Sequence, residues 1–134
     1  IDEANSPLYP FGFGLSYTNF TYKNLKVEGS NFSINATVNV SVDVSNSGNV
    51  KGKEVVQLYI RDVVASIMRP VRELKGFNLT TLNVGETKTI QFELTKAQLG
   101  FYTNKGVFII EPGDFEVYVG GNSDAKLKTT FNLE

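Results

Sequence analysis

A chain of 134 residues with formal net charge −1, 41% hydrophobic content, no Cys and no His fits one domain with its own core, without disulfides or thiolate metal sites, and lacks the commonest general base. A charge so near zero leaves no Lys and Arg excess to neutralise nucleic-acid phosphates, the densest basic cluster being Arg69 to Lys75. No apolar window has the length of a membrane span, no signal-peptide pattern is present, and a chain that starts at Ile1 without Met is expected to be a processed piece of something longer.

Taken in order, Ser6 to Tyr17 mixes Pro and Gly with large apolar side chains. Helix breakers keep such a stretch irregular while its rings still need cover, so residues 1–18 read as an opening segment that docks Phe11, Phe13 and Tyr17 on a neighbouring domain, ahead of a sandwich domain over 19–134. Phe20 and Tyr22 alternate, and Leu25 and Val27 keep the alternation only with one residue inserted near Lys23-Asn24. That predicts a bulged first strand at a sheet edge. From Phe32 to Val44 every second residue is apolar and the residues between are Ser, Asn, Thr or Asp, which reads as one long strand with one wet face. The Asn-X-Ser/Thr triplets at Asn31, Asn35 and Asn39, and those at Asn19 and Asn78, are expected from strands whose solvent faces are filled with Asn, Ser and Thr, the alternative being glycosylation sites of a secreted eukaryotic protein.

Asn46 to Gly52 breaks the pattern, and Val56, Leu58 and Ile60 resume it, so a strand, a turn and a second strand are expected. Arg61 to Pro70 reads as a loop with apolar content, and Leu74, Phe77 and Leu79 as a short irregular strand around Gly76. Asn83 to Glu86 turns the chain into Ile90, Phe92 and Leu94; Lys96 to Leu99 has room for one helical turn; Gly100 to Gly106 reads as an irregular connection, and Val107 to Ile110 as an extra short strand. Glu111 to Asp114 and Gly120 to Asp124 then bracket Phe115, Val117 and Val119, before a last strand through Leu127, Thr129, Phe131 and Leu133. Seven main strands without a substantial helix define an all-β, immunoglobulin-like or fibronectin type III-like two-sheet sandwich, the first, second and fifth strands facing the other four. Phe115 falls where such domains carry a corner Tyr, so that corner is held by packing alone.

No catalytic constellation stands out. Glu28, Asp43, Glu93 and Glu116 lie on expected solvent faces, Asp62, Glu86, Glu111, Asp114 and Asp124 lie in turns that acidic side chains cap, and Glu73 beside Arg72 and Lys75 reads as a surface ion-pair member. No acidic loop has calcium-ligand spacing, no Gly-rich loop opens a helix, and no Ser has a His to activate it, so no cofactor and no intrinsic catalysis are expected. Sugars stack on exposed rings, which makes Tyr59, Tyr118 and Tyr102 candidate sugar contacts; the alternative is that these rings cover a neighbouring strand or an inter-domain contact.

Tyr9 to Thr18, Val44 to Gly48 with Gly52 to Ile60, Arg69 to Phe77, and Glu111 to Phe115 follow one another in the order found in the fibronectin type III-like domain at the C-terminal end of family 3 glycoside hydrolases, which this chain resembles over most of its length. The second of these segments resembles that domain's central hairpin. The resemblance implies a parent β-glucosidase or β-xylosidase that works with retention. Its catalytic Asp and acid/base would lie in domains N-terminal to this one, so no residue of this chain is catalytic. It implies, as partners, the catalytic domains of the same chain, contacted through Phe11, Phe13, Tyr17 and a loop carrying Ile67, Met68 and Arg69, and a periplasmic or secreted location. Phe108 stands where many relatives carry Trp. A stand-alone carbohydrate-binding module and an adhesion-type repeat remain the alternative readings.

Overall fold

The computed structural model describes residues 18–29, 31–63 and 72–134. Phe11, Phe13 and Tyr17 of the opening segment and Ile67, Met68 and Arg69 of the apolar loop lie outside the described residues. The elements run β1 (Phe20–Val27), β2 (Asn31–Phe32), β3 (Val38–Asn46), β4 (Gly52–Asp62), β5 (Glu73–Leu82), β6 (Thr87–Leu94), α1 (Lys96–Leu99), β7 (Phe101–Tyr102), β8 (Phe108–Ile109), β9 (Gly113–Gly120) and β10 (Leu127–Leu133). One sheet has the order β1-β3-β6, the other β2-β10-β9-β4-β5, and β7 and β8 form a separate pair. This is the expected all-β sandwich, with the first, second and fifth long strands in one sheet.

Alternation does the sorting. Val38, Val40, Val42 and Val44 of β3 are fully buried, and face Val56, Leu58 and Ile60 of β4 and Val117 and Val119 of β9 in one core cluster. Each such side chain taken out of water stabilises the fold by about 1.5–3 kcal/mol before entropy is charged against it. Phe115 stacks on Phe131 in that cluster, centroids 5.2 Å apart and planes within 5°. The two rings meet in parallel contact within the core.

The bulge in β1 lies where the alternation fails. The register to β3 slips between Lys23 and Lys26, and Asn24 takes φ 58°, a left-handed conformation that Asn tolerates. Three expectations need correcting. The alternating run from Phe32 to Val44 is not one strand: β2 pairs with β10 in parallel, Glu134 N–H donates to the Phe32 carbonyl (2.8 Å), and a turn closed by Ala36 N–H on the Ser33 carbonyl (3.0 Å) carries the chain to the other sheet. A turn of two apolar and two polar residues mimics period two, so composition hid it. Nor do β3 and β4 form a hairpin, since their connection crosses between sheets. Finally, residues read as an irregular connection include β7, which pairs with β8.

Candidate functional site

The end of the sandwich where described backbone begins is built around one amide. Asn46, at the end of β3 and 1% exposed, accepts at Oδ1 from Thr18 Oγ1 (3.1 Å) and Gly48 N–H (3.0 Å), and donates from Nδ2 to the carbonyls of Val50 (2.8 Å) and Leu82 (3.0 Å). Two donors and two acceptors exhaust the bonding capacity of the side chain. Its backbone is engaged as well, N–H to the Glu86 carbonyl and carbonyl from Gly85 N–H, both 3.0 Å. One residue thus ties Thr18, the β3–β4 crossover and the β5–β6 turn together. Gly48 is required here, because a Cβ would overlap the Thr18 hydroxyl and sit 2.7 Å from Asn19 N.

Between the sheets at this end, the Tyr22 hydroxyl of β1 donates to Glu54 Oε2 of β4 (2.7 Å). Burial pushes the Glu54 carboxyl up, with the Tyr22 hydrogen bond working against it, and burial together with the Glu54 charge pushes the Tyr22 hydroxyl above its ordinary value. The β9–β10 turn closes over this pair at Gly121, where any Cβ would lie 2.7 Å from Glu54 Oε2.

The outer face of the five-stranded sheet carries two of the three Tyr residues singled out from the sequence. Tyr59 and Tyr118 are cross-strand partners on β4 and β9. Tyr59 is only 9% exposed, and its hydroxyl donates to Gln57 Oε1 (2.5 Å) while Gln57 Nε2 donates to the Gly121 carbonyl (3.0 Å). Burial pushes the Tyr59 hydroxyl up, with the Arg72 charge working against it. The Arg72 guanidinium sits 3.8 Å over the centre of the Tyr118 ring, a cation–π contact, and donates to the Ala125 carbonyl (2.6 Å). Glu116 Oε1 accepts from the Tyr118 hydroxyl (2.7 Å) and Arg61 Nη1 (2.9 Å), and Lys128 Nζ lies 3.6 Å from Oε2. Burial pushes Glu116 up, but the Tyr118 hydroxyl, Arg61 and Lys128 outweigh it and hold the carboxyl below its ordinary range, while burial and the bond to Glu116 raise the Tyr118 hydroxyl. One face of Tyr118 is thereby taken by a cation. Arg72, read from sequence beside Glu73, spends its charge on a ring across the sheet; Glu73 itself pairs with Lys75 (3.5 Å).

Tyr102 stands on the separate β7–β8 pair, 70% exposed, with Phe108 edge-on at 5.0 Å. Phe108 rests against Gly100, whose Cβ, were there one, would lie 2.5 Å from the ring. The structure thus brings Tyr59 and Tyr118 together and places Tyr102 on another element. Sequence reading missed a third feature of the outer face. Leu74, Phe77 and Leu79 of β5 stand opposite Tyr59, Gln57 and Val55, and are 42%, 70% and 59% exposed. A slip in the β4–β5 register between Leu58 and Tyr59 is what keeps Leu74 on the same side as Phe77. Among the described residues, no group of three or more Asp and Glu is placed to hold a metal ion, and no helix is long and apolar enough to cross a membrane.

Two facing sheets, antiparallel except for the short β2–β10 pairing, and a crossover sealed by a buried Asn define an immunoglobulin-like sandwich domain. The profile of the fibronectin type III-like domain matches residues 54–123, just over half of the chain, and the chain belongs to that family. It is 45% identical over 130 residues to a putative beta-xylosidase of Formosa agariphila, covering 97% of this chain and 17% of that protein, and 42% identical over 133 residues to the periplasmic beta-glucosidase of Salmonella typhimurium, covering 99% and 17%. Among solved structures it superposes on a beta-glucosidase of Erythrobacter marinus with TM-score 0.83 and 39% identity, covering 98% of this chain and 18% of that one. The chain therefore spans about a sixth of the length of these relatives, and matches a small part of larger glycosidase chains.

Proposed function

We propose that this chain is a non-catalytic accessory domain of a family 3 β-glucosidase- or β-xylosidase-type hydrolase, bracing the catalytic domains of the same polypeptide. The observation that carries it is coverage: relatives at 45% and 42% identity contain nearly all of this sequence as 17% of their own length. In this reading Phe11, Phe13 and Tyr17, together with Ile67, Met68 and Arg69, contact those domains, and the parent acts in the periplasm or outside the cell. A relative named as periplasmic supports that location. The test is the mass of the native polypeptide in source-cell fractions, by immunoblot with an antibody to the purified domain. A species several times heavier, which aryl β-glycoside hydrolysis follows through purification, is expected; a free species of the domain's own size without that activity would sink the reading.

A second reading, a β-glycan-binding module, is favoured by Tyr102, whose ring is 70% exposed with Phe108 edge-on to it. It predicts retardation of the chain on a β-glucan or xylan column that Tyr102→Ala abolishes. Elution with the void volume on both matrices would end it.

A further inference from the structure

The outer face of the five-stranded sheet is divided. Its β4 and β9 part is occupied by the protein's own contacts, with Tyr59 under its hydroxyl bond to Gln57, Tyr118 under Arg72, and Glu116 bound by Arg61 and Lys128. Among the described residues its β5 edge is left open: Leu74, Phe77 and Leu79 form an apolar stripe that stays 42%, 70% and 59% exposed. We propose that this stripe is the seat on which the catalytic part of the same polypeptide, N-terminal to this chain, docks.

Three observations select that occupant. The first is position: Asn46 bonds Thr18 and the Leu82 carbonyl with the two ends of one amide, so chain arriving at Thr18 enters beside the C-terminal end of β5. Leu79 is three residues back along the strand, about 10 Å at strand rise. The second is area. Side chains of this size present at most about 200 Å² each, so the stripe exposes on the order of 300 Å², well short of the roughly 800 Å² per partner that a stable interface between free proteins buries. A tethered partner needs less, because a short connection holds it at an effective concentration of about millimolar. Relatives of which this sequence is 17% have such a tethered remainder. The third concerns geometry. Lys88 Nζ reaches from β6 to the Thr81 carbonyl of β5 (3.0 Å), bridging the two sheets at their open side. That ammonium occupies the end of the edge where an added strand would pair, leaving the side-chain face as the surface to cover.

The proposal rests on the accessory-domain reading and names its contact surface. It is tested on the full native polypeptide by hydroxyl-radical footprinting, each peptide's labelling being normalised to the same polypeptide unfolded in guanidinium. Phe77 is expected to be protected nearly as well as the fully buried Phe115. Labelling at the level that 70% exposure sets would overturn the proposal. So would protection that disappears on dilution to the monomer, which would assign the stripe to a second copy. The double variant Phe77→Ser, Leu79→Ser in the full polypeptide is expected to split its calorimetric unfolding into two transitions, and an unchanged single transition would also overturn it. A native polypeptide no longer than this chain and without glycosidase activity removes the accessory reading itself, whereas a long, active polypeptide with a fully labelled Phe77 removes only this surface.

Discussion

Asn46 holds Leu82 through Nδ2 (3.0 Å) while its Oδ1 takes the Thr18 hydroxyl (3.1 Å), so one buried amide fastens the start of the described chain to the far end of the opposite sheet. Asn46→Ala would strand the Val50 and Leu82 carbonyls and the Gly48 N–H in a site that is 1% exposed. The expected loss is about 2–4 kcal/mol, the upper range because several buried partners lose their bonds together. Asn46→Asp keeps the acceptor side but turns a carboxylate on two carbonyls, and is expected to cost at least as much at neutral pH. Urea midpoints of both variants check this, and a change below about 1 kcal/mol for Asn46→Ala would show the hub to be dispensable.

Glu54 gives a pH dependence of one sign. Its carboxyl is raised by burial, so the folded state binds the proton more tightly than the unfolded chain does. The stability this brings is fully present below the unfolded Glu value of about 4.3 and is lost as pH rises through the folded value. Glu54→Gln keeps an acceptor for the Tyr22 hydroxyl without the charge. It is therefore expected to be more stable than the parent at pH 7 and equal to it near pH 3, measured as paired denaturation curves. A variant less stable than the parent at pH 7 would mean that the ionised carboxylate is worth more to Tyr22 than its burial costs.

The opposite sign belongs to Glu116. There the Tyr118 hydroxyl, Arg61 and Lys128 overcome burial and depress the carboxyl. Its contribution is present above the unfolded value and disappears as pH falls through the folded one. Glu116→Gln is expected to cost about 1 kcal/mol at pH 7, since the Arg61 pair is partly solvated. The difference should close in acid, and a pH-independent difference would assign the loss to packing.

How far these features were legible in the sequence follows from the range of the interactions that set them. Strand positions and the β1 bulge at Lys23-Asn24 follow from side-chain alternation, which is local, whereas the division of strands between sheets came from the fibronectin type III arrangement that the strand count resembles. The break between β2 and β3 was hidden because Ser33-Ile34-Asn35-Ala36 alternates through a turn as it would through a strand. Arg72 looked like part of a local ion pair, and only the fold carries it onto Tyr118. Asn46 was visible as a turn residue, but its hold on Leu82 spans 36 positions, and no local pattern encodes that. The exposure of Phe77 and Leu79 was equally hidden: an edge strand whose outer side chains are apolar reads like a core strand until the layer over it is known.

Two aromatic residues of similar size give the sharpest contrast in stability. Phe115 is fully buried and stacked on Phe131, with Phe131 also edge-on to Phe32 at 5.9 Å. Phe115→Ala removes the fully buried end of that three-ring group, the ring stacked on Phe131, and leaves a cavity in the core between the sheets, for an expected loss of about 3–5 kcal/mol. Tyr102→Ala removes a ring that touches mainly Phe108 and solvent, and is expected to change stability by no more than about 0.5 kcal/mol. Thermal or urea unfolding of the two variants side by side makes the measurement. A loss at Tyr102 approaching that at Phe115 would show that the β7–β8 pair is a structural part of the domain rather than an exposed appendage to it.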